Sequence, residues 1–379
     1  MASAGAASAL DLLAQIFSAE TRYQQLFETR LMQKRLELGL PLIPLGAIED
    51  LPEPERGKYE DGVRQAAIET GALFLRDGDI ARAWPYYRAI GDRETIAAAI
   101  EEVRPEDATD ALIDIALNER VHPRKGLELV IARHGMCRAI TFFERTPDLP
   151  DREACLVALV RALHAEVFRN LTSAILCRER QPPEANGISD LMESRDWLFG
   201  EFDSYTDTSH VIDAIRFALD LEDPAAIRLA LELCDYGAHL SAHFKMRGNP
   251  PFEDIYRDHA IYLRALLGEG VDEAIAHFED KIVAQQDPLG TIRSAEALVR
   301  LLVRIERYAK AVEVFLDYLG EAPPGQLACP GVFQLCQLAG ESRRMRELAR
   351  QRDDLLSFAA GAIQAESDPE NRTNRRMRK

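Results

Sequence analysis

The segment Tyr256–Lys281, YRDHAIYLRALLGEGVDEAIAHFEDK, constrains this chain more than any other stretch. Apolar residues recur at helical spacing on both sides of a glycine-containing turn, which predicts helix, turn, helix. Helices joined so tightly lie antiparallel and bury their apolar stripes against each other. The same unit returns upstream and downstream. The fold class expected is therefore all-α, an α-solenoid of antiparallel helical hairpins in which each hairpin covers the apolar side of the next.

Composition supports helix nearly everywhere. Leu, Ala, Glu and Arg dominate, aromatic residues are 7%, and β-branched runs are rare. The length of 379 residues fits either two globular domains or one elongated array. With 46 basic against 63 acidic residues the net charge is −17, which repels phosphate backbones and anionic lipid. No nucleic-acid or membrane partner is expected. Six cysteines, Cys137, Cys155, Cys177, Cys234, Cys329 and Cys336, form no CxxC pair and read as reduced core thiols of a cytoplasmic protein. The N-terminus has neither a basic start nor a sustained apolar run, so no signal peptide is expected, and no window reaches membrane-spanning length.

In chain order, Leu10–Leu38 carries one apolar stripe and predicts a long leading helix within residues 1–38. Four prolines between Pro41 and Pro54 mark residues 39–58 as an extended linker. A first helical-repeat lobe covers 59–180. It is followed by a Pro- and Gly-containing stretch, Arg178–Asp190, a second lobe over 190–362, and a disordered basic tail at 363–379. Between the hairpins, helices are expected at Arg93–Val103, Glu106–Asn118, Pro123–His134, Glu153–Arg178, Ile188–Phe202, His210–Leu221 and Pro224–Met246. The rigid Arg247–Phe252 loop, RGNPPF, sets the angle of the hairpin that follows it.

Gly71, Phe74, Ile80, Ala83 and Tyr87 lie around the Asp77-Gly78-Asp79 turn in the order small, aromatic, large, alanine, aromatic. The second half of that pattern returns at Met136, Ala139 and Phe143, at Val271, Ala274 and Phe278, and at Tyr308, Ala311 and Phe315, the last followed by Pro323. The pattern resembles the tetratricopeptide repeat. The alanines are spaced by 56, 135 and 37 residues, against a family period of about 34, so the array is degenerate. The resemblance implies a TPR-like superhelix that binds a protein or peptide partner in its groove, as a scaffold or adaptor without a cofactor.

Candidate functional residues fall into three groups. Trp84 and Tyr87 could form an aromatic platform for a peptide, although aromatics at such positions usually pack between helices. Arg228, Glu232, His239 and His243 share the polar face of the helix predicted over Pro224–Met246, with the two histidines four residues apart. That face is either solvated surface, a concave partner-binding surface, or a metal site in which His239 and His243 hold one ion. His210, Glu253, Asp258, His259 and His277 are the candidates for the alternative, an enzyme using a divalent transition metal or acid–base chemistry. His259 itself sits within the apolar stripe of its helix and reads as a hydrogen-bonded core residue. No HExxH, GxGxxG, GxxxxGK[ST] or GxSxG motif is present.

Overall fold

The computed structural model describes residues 2–320 and 327–367. Pro323 and the tail from 368 onward lie outside them. Among the described residues the chain is all-α, with nineteen α-helices and no strand. No helix there is long and apolar enough to cross a membrane. The chain forms two compact units that divide between Leu159 and Val160, upstream of the expected boundary at Arg178–Asp190.

The first unit holds α1 (Ala2–Ala19), α2 (Tyr23–Glu37), α3 (Glu55–Arg76), α4 (Ile80–Ile90), α5 (Arg93–Glu101), α6 (Asp110–Leu117), α7 (Pro123–His134) and α8 (Met136–Arg145). The division falls inside α9 (Arg152–Glu179). The second unit continues with α10 (Ile188–Met192), α11 (Thr208–Phe217), α12 (Pro224–His239), α13 (Ile255–Leu266), α14 (Val271–Val283), α15 (Pro288–Arg304), α16 (Tyr308–Tyr318), α17 (Val332–Leu338), α18 (Ser342–Gln351) and α19 (Leu355–Ser367). The start of the expected basic tail thus completes α19.

Chain neighbours pack on one another: α1 on α2, α2 on α3 and α3 on α4 in the first unit; α12 on α13, α14 on α15, α15 on α16 and α18 on α19 in the second. The α3/α4 hairpin shows how residues build such a pair. Gly78 turns the chain at φ +79°, a conformation that costs glycine nothing, and Asp79 opens α4 by accepting the Arg82 amide at 3.0 Å. Gly71 lies under the Tyr87 ring, where a Cβ would come within 2.6 Å. Ala83 is fully buried in the same core as Phe74, and its small side chain lets helices approach closely. The core of this unit runs from Ala14 through Leu26, Phe74, Trp84 and Ile96 to Ala116. In the second unit, Ala274 and Phe278 on α14 are buried, and the Tyr262 ring of α13 meets Phe278 edge-on at 5.8 Å.

Several expected helices are cut by tertiary demands. The leading helix is two helices, because Thr21 adopts φ +56° and lets α1 fold back onto α2. Helix over Glu106–Asn118 begins only at Asp110, after a 3₁₀ turn at Pro105–Asp107. The segment Ile188–Phe202 is helical only to Met192, with a 3₁₀ turn at Asp196–Leu198, since Ser194 turns the backbone at φ +60°. Pro224–Met246 stops at His239. There Leu240 leaves the helix in an extended conformation and buries its side chain, while Lys245 Nζ donates to the freed Ala238 carbonyl at 2.6 Å. All six cysteines are free; Cys155, Cys234 and Cys336 are buried, but Cys137 and Cys177 are exposed rather than in the core.

Candidate functional site

The entry to α13 and the second half of α14 hold a charged cluster. Asp254 caps α13 by accepting the Arg257 amide at 3.4 Å, and Asp258, one turn in, accepts the Asp254 amide at 2.9 Å. The Asp258 carboxylate is 1% exposed, and such a buried charge requires partners. It has them on α14: His277 Nε2 lies 2.8 Å from Oδ1, and Lys281 Nζ lies 2.8 Å from Oδ2. His277 and Lys281 share a face because they are four residues apart. Lys281 Nζ also donates to Glu253 at 2.8 Å, and Gln285 Nε2 donates to the other Glu253 oxygen at 3.0 Å.

Burial opposes the charge on Lys281, yet its hydrogen bonds to Asp258 and Glu253 outweigh that and raise its pKa. Burial likewise opposes ionisation of Glu253, and the bonds from Lys281 and Gln285 overcome it and hold the carboxyl below its usual range. An ammonium therefore stands between the two carboxylates, where a metal-binding site would place its cation. Among the described residues no group of three or more His, Cys, Asp or Glu side chains is arranged to hold a metal ion.

The other two members of the metal set lie apart from this cluster. His210 is 4.0 Å from Asp207, the residue that caps the start of α11. His259 is buried with its ring tilted over Phe252 at a centroid distance of 4.2 Å, and its Nδ1–H donates to the Ile255 carbonyl at 2.6 Å. Burial pushes the imidazole down to about 4, so it is a neutral core group. The five residues do not form one ligand shell. Asp258, His277 and Glu253 are instead joined through Lys281, a residue outside the expected set whose signal in the sequence was its position one turn after His277.

The face expected on α12 is also divided. Arg228 is exposed and pairs with Glu269 at 3.5 Å. Glu232 is committed inside the unit: one oxygen takes His164 Nε2 at 2.7 Å and the Ile188 amide at 2.6 Å, and the carboxylate fills the space over Gly187. His239 ends α12, while His243 lies beyond it in the 3₁₀ turn Ala242–Phe244, so the pair does not share a helix face.

Beyond α12 the 199–207 and 240–247 loops come together, joined by Ser241 Oγ donating to the Glu201 carbonyl at 2.7 Å. Phe202 is 69% exposed and meets His243 edge-on at 5.3 Å; His243 meets Phe244 edge-on at 5.1 Å, and Met246 is 57% exposed. Phe199 and His239 are in ring contact beside them at 5.4 Å. Glu201, Asp203 and Asp207 are exposed on the first loop. Sequence periodicity carries no signal for such a patch, because its residues lie on loops.

In the first unit Trp84 and Tyr87 offer no platform. Each is 5% exposed and belongs to the core between helices. The groove between α2 and α3, with a volume of about 300 Å³, is occupied by charge pairs such as Arg30–Glu69 at 2.7 Å.

The chain matches no protein-family model, no curated protein and no solved structure.

Proposed function

We propose that this chain is an interaction module of stacked helical hairpins, in the manner of a degenerate tetratricopeptide solenoid. Its docking surface is the aromatic and histidine patch of Phe202, His243, Phe244 and Met246. Its partner is a protein segment with an apolar anchor flanked by Lys or Arg.

The observation that carries this reading is the exposed Phe202 set against His243, with Met246 exposed three residues further along the same loop, large apolar groups left in solvent on loops that a packed helical unit holds in place. Aromatic and methionine side chains supply the apolar centre from which such interfaces draw most of their affinity. The exposed acidic residues Glu201, Asp203 and Asp207 on the first loop outnumber the exposed Lys245 and Arg247 on the second, and with the net charge of −17 they favour a cationic segment around the anchor. The closed Asp258–Lys281–Glu253 cluster, whose carboxylates are both hydrogen-bonded within the unit, weighs against catalysis there. Phe202→Asp combined with Met246→Asp tests the reading. A protein that co-purifies with the wild type at stoichiometric yield, and is basic around the segment that cross-links to the patch, should be lost from the double variant while the helical spectrum stays unchanged. Retention of the same partner by the double variant would refute the docking site.

A further inference from the structure

We infer that Lys281, with Gln285, is a latch: from α14 it pins the 247–254 loop that immediately follows the patch, and so fixes the presentation of His243, Phe244 and Met246. The inference rests on the docking reading for its biological meaning, but the latch itself is a property of the free protein.

The loop makes little regular structure of its own. Its internal bonds are the Gly248 amide to the Glu253 carbonyl at 3.1 Å and the Phe252 amide to the Asn249 carbonyl at 2.8 Å, with an isolated bridge between Arg247 and Asp254. So few backbone bonds do not hold a loop in one conformation against its entropy, and opening of such segments costs little. Its middle is anchored by the buried Pro251 and by the Phe252 ring against His259, Tyr262 and Phe278, and its closing end is fixed from elsewhere in the unit. Glu253, at the loop's end, is gripped by Lys281 Nζ on one oxygen and by Gln285 Nε2 on the other. Asp258 bonds the Asp254 amide and is itself fixed by Lys281 and His277. One ammonium therefore couples both carboxylates that close the loop. The Lys281 side chain is 21% exposed, and the Glu253 side chain 19%. At that depth a charged hydrogen bond is worth more than a surface pair, and removing one partner strands the other.

Amide hydrogen exchange on the free protein tests the latch. In Lys281→Met the amides of Gly248, Phe252 and Asp254 should exchange faster on the order of tenfold or more, with α12 and α15 unaltered. Gln285→Leu, which leaves the Asp258–Lys281 bond intact, should accelerate Gly248 and Phe252 but spare Asp254. Lys310→Met removes a pair with Glu279 on the same helix (2.8 Å) and should leave the loop unaffected. Unaltered exchange at the three amides, or acceleration spread evenly over α12 and α15, would overturn the latch. If the latch holds, partner capture by Lys281→Met should fall severalfold through the docking patch. Faster exchange with undiminished capture would reject the link to docking while leaving the docking site to its own test.

Discussion

His259 shows how burial alone assigns a role to a titratable residue. The imidazole stays neutral in the folded state down to about pH 4, whereas in the unfolded chain it takes up a proton near its ordinary value of 6.5. Between these values the unfolded state binds the extra proton, so stability falls as the pH drops from 6.5 toward 4 and is unaffected above 6.5. At ~1.4 kcal/mol per pH unit, the loss reaches about 2 kcal/mol at pH 5. Neighbouring carboxylates do not mimic this: Glu253 is held below its usual range, so its contribution is lost only on more acidic titration. His259→Leu keeps similar volume and removes the proton site. Urea unfolding at pH 7 and pH 5 should show wild type losing about 2 kcal/mol more than the variant. Equal losses in the two proteins would mean that His259 does not carry the effect. The position of His259 on the apolar stripe was readable from spacing alone. The Asp258–His277–Lys281 contact was not, because it depends on how α13 lies against α14.

Helix ends were legible where a residue's own chemistry sets them and hidden where the fold does. Pro123 opens α7 and Gly135, at φ +87°, ends it, so its limits coincide with those expected. The end of α12 has no such marker. The residues after His239 are ordinary helix formers, and the chain leaves the helix to bury Leu240. That hidden end separated His239 from His243 and removed the geometric basis for treating them as a pair. Local chemistry also predicts what a cap contributes. Asp287 accepts the Gly290 amide at 2.8 Å and Pro288 occupies the first turn of α15. Asp287→Ala should lower stability by about 1 kcal/mol, and Asp287→Asn by much less, since Asn accepts the same bond. Equal cost for the two substitutions would indicate that charge rather than capping matters there.

At the scale of the whole chain, neighbour-to-neighbour packing gives each unit its own core, and arrays held by such local contacts lose all-or-none cooperativity as they lengthen. The two tryptophans report the units separately. Trp84 is buried in the core of the first, and Trp197 lies in the second beneath the Arg178 guanidinium, 4.2 Å from its ring centroid. Trp84→Phe and Trp197→Phe leave one reporter each; at Trp84 no hydrogen bond is lost, because its buried Nε1 has no partner, and the cost is that of the space the smaller ring leaves in the core. The acid effect of His259 should then fall on the second unit. In the first unit Glu101, Asp77 and Asp110 all have lowered pKa values, from hydrogen bonds to Arg124, to Tyr23 and to Arg133 respectively. Carboxylates of this kind lose their contribution only below their ordinary values of 4.5 and 3.8, which pH 5 does not reach. The second unit contains His259, which acts above that range. Going from pH 7 to pH 5 should lower the urea midpoint read by Trp197 more in the otherwise wild-type chain than in His259→Leu, and the midpoint read by Trp84 should show no such difference between the two. An equal difference in both reporters would show that the chain unfolds as a single cooperative body, and the description of two separately stabilised units would fail.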